Sequence, residues 1–167
     1  LPLGVIAAIK QNTLFDGVSM FISLLGISIP IFWFGLLLIL LFSVTLGWFP
    51  VSGADQGLKS LVLPSLALGF QHMAAIARTT RSSMLEQIRQ DYIRTVRAKG
   101  LPEGEVITKH ALRNALIPTT TVIGLQMGGM LGGSVLTESV FAWPGIGRYM
   151  VQSIQGRDIP SVMGCII

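Results

Sequence analysis

Hydrophobic residues occur in long runs along this chain, and charged residues are concentrated between the runs. Residues 17–54 include no charged side chain, and their part 18–46 is long enough to cross a hydrocarbon core about 30 Å thick. Residues 61–77 form a second, less apolar run, and residues 114–137 form a third that is rich in glycine. This pattern predicts membrane-spanning helices at about 18–46, 61–77 and 115–137, with partial spans at 1–9 and 159–167.

The first run contains residues that predict its shape and its ends. Pro30 lacks a backbone N–H and should kink the helix at that point. Trp48 and Phe49 follow the run, and aromatic residues of this kind favour the interface between membrane and water. We therefore expect a bent span that leaves the membrane near Trp48.

Composition supports a membrane protein. Hydrophobic residues make up 51% of the 167 residues and charged residues 12%, against about 25% charged in an ordinary soluble domain. The expected fold is all-α, a polytopic transmembrane helical bundle in a single domain over residues 1–167. The apolar runs at both ends are too short to span a membrane, which indicates a fragment with truncated ends. A single cysteine, Cys165, excludes an internal disulfide framework.

The basic residues are distributed unevenly between the loops. Residues 78–113 hold eight of the twelve Lys and Arg residues, and such an excess indicates the cytoplasmic side of a membrane. By alternation, the loops near Trp48 and Phe141 should face the outside. No aromatic-basic interleaving accompanies the charge, so nucleic acid is not expected as a partner.

The cytoplasmic loop is expected to form a helix, an elbow and a second, short helix. Leu85, Ile88, Tyr92 and Val96 recur at helical spacing and predict one amphipathic helix. Gly100 follows, and a glycine at this position can take the left-handed conformation that ends a helix. The second helix should begin at Pro102, with acidic residues in its first turn and basic residues further on, as the helix dipole favours.

Three segments of this loop resemble the cytoplasmic loop of binding-protein-dependent ABC importer permeases of the dipeptide and oligopeptide (peptide/nickel/glutathione-type) group. They are Asp91-Tyr92-Ile93-Arg94-Thr95, Arg97-Ala98-Lys99-Gly100-Leu101 and His110-Ala111-Leu112-Arg113-Asn114-Ala115-Leu116-Ile117-Pro118. Further similarity lies at Pro30-Ile31-Phe32-Trp33, Pro50-Val51-Ser52-Gly53, Thr80-Arg81-Ser82-Ser83-Met84-Leu85 and Trp143-Pro144-Gly145-Ile146-Gly147. The sequence departs from the family's general pattern at Arg94-Thr95-Val96, where Glu-Ala-Ala would stand. The resemblance covers essentially the whole chain.

The resemblance implies a type I ABC importer permease, a transmembrane subunit that couples the motion of a cytoplasmic ATPase to alternating access. It implies cytoplasmic ATP-binding subunits, a second permease subunit in a homo- or heterodimer, an extracytoplasmic solute-binding protein and membrane lipid as partners. The location would be a bacterial or archaeal inner membrane. ATP and Mg would be bound by the partner, with no cofactor in this chain.

The resemblance also implies that the short helix after Gly100 is a coupling helix seated on the ATPase. The expected docking residues are Arg97, Lys99, Gly100, Leu101, Pro102, Glu103, Val106, Ile107 and His110. The apolar members would be anchors and the basic members would pair with acidic groups. The alternative is a solvated basic face that only sets membrane topology.

Other candidate sites lie in the spans and the outer loop. Gly124, Gly128 and Gly132 recur every four residues, which favours close helix packing or a helix lining a translocation path, where Gln126 could also lie. His72 lies in a weak span and is either a structural hydrogen-bonding group or a pathway residue. The outer-loop residues Glu138, Trp143 and Pro144 are candidates for a gate or a binding-protein contact, and the alternative is an interfacial aromatic belt.

No catalytic or metal-binding motif is found in the sequence. It contains no G-x-x-x-x-G-K-[ST] phosphate loop, no H-E-x-x-H and no catalytic triad pattern, so ATP hydrolysis is expected in a separate subunit and the chain is not expected to be an enzyme. The alternatives are an ion-gradient-driven secondary transporter or channel subunit and a membrane-embedded enzyme. The solute could be a dipeptide, a longer peptide, glutathione or a nickel complex.

Overall fold

The computed structural model describes residues 1–131 and 135–167, and within those ranges the chain forms helices and turns with no strand. The all-α prediction is therefore confirmed. The helices are α1 Pro2–Ile9, α2 Leu14–Ser28, α3 Ile31–Leu38, α4 Leu58–Ile88, α5 Asp91–Ala98, α6 Glu103–Glu105, α7 Leu112–Leu131, α8 Val135–Val140, α9 Ile146–Gln155 and α10 Ile159–Ile166. Two further segments, Ile39–Thr45 and Val106–Ala111, are π-helical.

The described residues fall into two compact units. Unit 1 consists of Leu1–Ser28 and His72–Gly128, and unit 2 consists of Ile29–Gln71 and Gly129–Ile167. The prediction of a single transmembrane domain over residues 1–167 stays a prediction.

The run of residues 18–46 forms two helices where a single kinked span is expected. Helix α2 ends at Ser28 and α3 begins at Ile31, with Pro30 in extended backbone at φ −60° and ψ 134° before its first residue. Proline cannot donate a backbone hydrogen bond and disfavours helical backbone in the residue before it, so the expected kink becomes a complete break. The π-helical continuation of α3 ends at Thr45, and Gly47, two residues further on, has a φ of +66°.

By length and composition, α4 can cross a membrane. It has 31 residues and a mean hydropathy of 1.4 in its most apolar window. Helices α2 and α3 with its π-helical continuation would add a second span if they are counted as one broken span. Among the described residues, α7 does not reach the same hydropathy, because it includes threonines, glycines and Gln126.

Unit 1 has a core in which the basic loop of residues 78–113 takes part. Its fully buried side chains come from α4, α5 and the π-helical segment, and they include Met84, Ile93 and Val106, each 0% exposed. Tyr92, Val96 and Leu101 pack against this cluster from its edge. The segment predicted to form a helix, an elbow and a second helix thus packs part of its apolar side chains against the end of α4.

Unit 2 has an aromatic core. Leu38, Leu63 and Phe141 are buried together, and Phe34 stacks on Phe70 with a centroid distance of 4.7 Å. Gly35 allows the ring of Phe141 to approach α3 closely, since a Cβ at that position would lie 3.1 Å from the ring. The contact between α3 and α8 brings the outer-loop region against the first predicted span.

Candidate functional site

The segment after α4 that is expected in the cytoplasm folds as a short helix between two breaks. Helix α4 ends at Ile88, and Gln90 is extended with φ −70° and ψ 150°, so the predicted amphipathic helix through Leu85 and Val96 is divided in two. Helix α5 follows and ends before Gly100, whose φ of +80° is left-handed as predicted. The Gly100 N–H donates to the Arg97 carbonyl at 2.9 Å. Helix α5 is therefore an isolated unit of eight residues.

The prediction of a short helix after Gly100 is wrong. Pro102 precedes the first turn of α6, and helical backbone then continues through the π-helical segment into α7, from residue 103 to residue 131. The acidic residues Glu103 and Glu105 lie in the first turn, in agreement with the dipole argument. The isolated short helix in this region is α5, on the other side of the glycine.

Two of the expected docking residues are inside the protein. Val106 is 0% exposed and Ile107 is 6% exposed, and both belong to the core of unit 1. They cannot contact a partner without opening that core, so the anchoring role expected of them is corrected to a role in internal packing. The sequence argument failed because the helix after Gly100 continues without a break to residue 131 and turns these two side chains into the core of unit 1.

The other expected docking residues lie at or near the surface. Arg97, Lys99, Gly100, Pro102 and Glu103 are exposed, while Leu101 and His110 are half-buried.

An ion pair closes the elbow at Gly100. The Arg97 guanidinium donates from Nε to Glu103 Oε2 at 3.0 Å and from a terminal nitrogen to Oε1 at 2.6 Å. This bidentate contact lowers the pKa of Glu103 from its ordinary value, against a smaller opposing effect of burial. One turn further, Lys109 donates to Glu105 at 2.5 Å and lowers the pKa of that carboxyl. Arg97 is thus neutralised within the chain, whereas Lys99 forms no ion pair among the described residues.

Tyr92 connects three helices at this surface, and the sequence analysis did not assign it a role. Its hydroxyl donates to Gln87 of α4 at 2.9 Å and accepts a hydrogen bond from the Asn114 side chain of α7 at 2.9 Å. Ile93 next to it is fully buried in the core. Both Tyr92 and Asn114 fall within the segments that carry the family resemblance, which was the one signal available for them.

Asp16 and Arg81 form a buried ion pair that the sequence analysis also missed. Arg81 Nε lies 2.5 Å from Asp16 Oδ1 and its terminal nitrogen 2.6 Å from Oδ2, and Asp16 also accepts the Asn12 N–H at 3.1 Å. The Arg81 side chain is 22% exposed and the Asp16 side chain is 6% exposed. The pair joins α4 to the first turn of α2, and 65 residues separate its members in the sequence. Charge alone could not have identified these partners at that separation.

Beside this ion pair, the backbone of helix α1 lies close to the backbone of α4. A Cβ on Gly4 would lie 2.5 Å from the Ala77 carbonyl oxygen and 2.8 Å from the Thr80 Cβ. Only glycine therefore fits at this contact.

His72 has a partner within unit 1. Its Nδ1 lies 2.9 Å from Gln126 Oε1, so two residues considered separately in the sequence form one polar contact between α4 and α7.

The glycines of α7 lie in open space. A Cβ added to Gly124 or Gly128 would have no atom of the described part of the chain within 4 Å. No described helix packs on them at that distance. Gly132 lies outside the described residues.

The residues expected in an outer loop form a compact turn in unit 2. The backbone carbonyl of Glu138 accepts the Trp143 N–H at 2.8 Å, and its carboxylate oxygen Oε2 accepts the Arg148 N–H at 2.9 Å in the first turn of α9. The Arg148 guanidinium donates to the Ala142 carbonyl. A Cβ on Gly145 would overlap the Glu138 carboxylate, so this glycine makes room for it. Trp143 is half-buried beside this turn, and Pro144 is exposed.

These features are those expected of a helical membrane protein. Many of its large apolar side chains are exposed, among them Phe21 and Leu24 on α2, as expected for surfaces that face lipid or another subunit. Residues 1–167 match the family described as binding-protein-dependent transport system inner membrane component. The chain belongs to this family.

Its relatives include transport permeases for peptides. The chain is 48% identical over 191 residues to the dipeptide transport system permease protein DppB of Alkalihalophilus pseudofirmus, covering 98% of this chain and 57% of the relative. It is 49% identical over 194 residues to the di/tripeptide transport system permease protein DppB of Pseudomonas aeruginosa, covering 100% and 58%. It is 49% identical over 167 residues to the glutathione transport system permease protein GsiC of Escherichia coli, covering 100% and 54%.

The chain thus spans a little over half the length of these curated relatives. The resemblance seen in the sequence is confirmed at the level of the family.

Proposed function

We propose that this chain is part of the permease subunit of an ATP-driven importer for peptides or a related small solute. The family match over residues 1–167 and the names of the relatives support this function. The solutes in those names, dipeptides, tripeptides and glutathione, are all short molecules with peptide bonds. A short peptide is therefore the proposed solute class.

The energy for transport would come from other subunits. The sequence has no phosphate loop, and the relatives are named as permease proteins. In this proposal, two cytoplasmic ATP-binding subunits hold ATP and Mg, and this chain carries no cofactor of its own. Its location is the inner membrane, as the family description states for its members.

Helix α5 with the elbow is the surface that we propose for docking of the ATP-binding subunit. We call it the coupling surface and define it as Arg94, Arg97, Lys99, Gly100, Leu101, Pro102 and Glu103, with His110 at its edge. It differs from the expectation in the sequence because it includes the helix before Gly100 and excludes Val106 and Ile107. The side chain of Arg94 is 76% exposed, and Lys99 is exposed. Arg97 is paired with Glu103, and Arg94 has a 3.5 Å contact with Asp91, so Lys99 is the cation of this surface that has no ion pair among the described residues. Acidic groups are expected on the partner.

The packing of α5 supports a mechanical role for this surface. Ile93 is fully buried and Tyr92 is bonded to α4 and α7, so a displacement of α5 has to move the ends of both helices. Tightly packed interiors transmit such displacements because they have little free volume. In the proposed cycle, ATP binding draws the two ATP-binding subunits together and favours the outward-open state, and hydrolysis restores the inward-open state. The differential affinity that such a switch requires would be supplied by the nucleotide.

The remaining proposed partners would contact other surfaces. The exposed stripe around Gly124 and Gly128 would face a second permease subunit, identical or paralogous, or the translocation path beside it. The turn that includes Glu138, Trp143 and Pro144 would lie near the gate and the docked solute-binding protein. The apolar residues on α2 and α3 would face lipid or neighbouring helices.

The proposed function can be tested by purification and by transport. The full-length protein, tagged and extracted from its native membrane in mild detergent, should co-elute with an ATP-binding subunit. After reconstitution with the solute-binding protein, uptake of dialanine should require ATP and Mg. Uptake that continues without ATP, or that is abolished only by collapse of an ion gradient, would contradict the proposal.

A further inference from the structure

Unit 2 contains a cavity beside the turn of Glu138 and Trp143, and the proposed function assigns no ligand to it. It is partly enclosed, has a volume of about 200 Å³, and is lined by residues of α4, α8 and the turn after α8. Its apolar wall consists of Leu61, Pro64, Leu68 and Met130. Ser65, Thr137, Glu138 and Trp143 supply the polar and aromatic part. The cavity therefore combines one acidic side chain and two hydroxyl-bearing side chains with a mostly apolar lining.

The Glu138 carboxylate at this cavity has no cationic partner among residues 1–131 and 135–167. The neighbouring Arg148 donates its guanidinium hydrogen bond to the Ala142 carbonyl, and only its backbone N–H reaches Glu138 Oε2. Oε1 accepts no hydrogen bond from the described residues. The N-terminus of α9, a helix of ten residues, stabilises the negative charge without neutralising it. A carboxylate held in place in this way attracts a cation from outside the chain.

We propose that this cavity is a subsite for the ammonium group of the transported solute, that is, the amino terminus of a peptide. Glu138 would accept the ammonium N–H, and the Trp143 ring would offer a face for a cation–π contact. The apolar wall would receive the side chain of the first residue. Pockets that enclose whole drug-sized ligands have volumes of roughly 300–1,000 Å³, so a cavity of this size suits one terminal residue rather than an entire peptide.

This inference rests on the proposed function, because an ammonium subsite is useful to an importer whose solutes have free amino termini. The relatives' solutes, di- and tripeptides and glutathione, share that group. The subsite would thus contribute a charge requirement within the permease, separate from any preference of the solute-binding protein.

Direct binding to the full-length transporter assembly in nanodiscs tests the subsite without nucleotide or solute-binding protein. Saturation-transfer NMR would compare alaninamide, which carries an ammonium group, with lactamide, a neutral analogue of similar size. We expect alaninamide to give a signal at least fivefold stronger than lactamide with the wild-type assembly. We expect Glu138→Gln to reduce the alaninamide signal at least fivefold and to leave the lactamide signal unchanged. The glutamine retains an oxygen that can accept the Arg148 N–H, so it removes the charge and keeps the turn.

A second variant and a transport control complete the test. Trp143→Leu should weaken the alaninamide signal at least twofold through loss of the aromatic face, and it provides an independent result if Glu138→Gln does not assemble. Equal signals for alaninamide and lactamide with the wild type would overturn the subsite, as would an unchanged alaninamide signal in both variants. ATP-dependent uptake by the wild-type assembly is measured in parallel. If that uptake is present and the ammonium preference is absent, only the subsite fails; if uptake does not depend on ATP, the proposed function fails.

Discussion

The ion pair between Asp16 and Arg81 leads to the most quantitative expectation. Two contacts of 2.5 and 2.6 Å join the groups, and their side chains are only 6% and 22% exposed. Removing one partner of a fully buried pair costs about 3–5 kcal/mol, because the other charge stays buried without compensation. Since Arg81 retains some exposure, we expect a smaller loss of about 2–3 kcal/mol for Asp16→Asn.

A double-mutant cycle measures whether this pair acts as a unit. Asp16→Asn, Arg81→Gln and the double variant are made in the full-length protein, and thermal unfolding in detergent is followed by tryptophan fluorescence. We expect each single variant to lower the free energy of unfolding, and the double variant to be no less stable than the worse single variant. Asp55→Asn is the matched control, since Asp55 is exposed and forms no ion pair among the described residues. Additive losses in the double variant would refute the reasoning.

Three further expectations concern the coupling surface and its support. Gly100→Ala should lower the free energy of unfolding by about 1–2 kcal/mol, because the backbone there has a positive φ. Gly104→Ala is the control, since that residue is also in open space but has a helical φ, and the change should be neutral or stabilising by up to about 1 kcal/mol. Unfolding measurements on both variants check the difference. Ile93→Ala should cost about 2–5 kcal/mol through an internal cavity, and ATP-dependent uptake should fall with it; unchanged stability would contradict the core position. The contact with Arg97 lowers the pKa of Glu103 in the folded state, so its stabilisation is present above the unfolded pKa of 4.5 and is lost as the pH falls through the lower folded pKa. A carbon-13 NMR titration should show the pKa of Glu103 below 4.5 in the wild type and at its ordinary value in Arg97→Gln.

Features with a local cause could be predicted from the sequence. Pro30 interrupts its helix because proline lacks an N–H, and Gly100 takes a left-handed backbone because no side chain opposes it there. The all-α fold follows from the length of the apolar runs. These inferences needed no knowledge of which segments meet in space.

Features that depend on distant contacts could not be predicted in this way. The sequence predicts that Val106 and Ile107 are apolar anchors on a surface helix. In the structure they are buried in the same core as Ile93. The partner of His72 is Gln126, which lies 54 residues further along the chain. Hydrophobic periodicity identifies the apolar face of a helix, but it does not say whether that face meets the same chain or another subunit.

The central claim is tested most directly by determining which of the two helices beside Gly100 contacts the ATP-binding subunit. In the full-length transporter, Cys165 is replaced by serine, and single cysteines are placed at Ala98 on α5 or at Thr108 on the helical segment after Gly100, both of which are exposed. With cysteines on the surface of the ATP-binding subunit, short cross-linkers should couple Ala98→Cys and give far less product with Thr108→Cys. Cross-linking at Thr108→Cys with none at Ala98→Cys, or at neither position, would contradict the assignment of α5 as the docking helix.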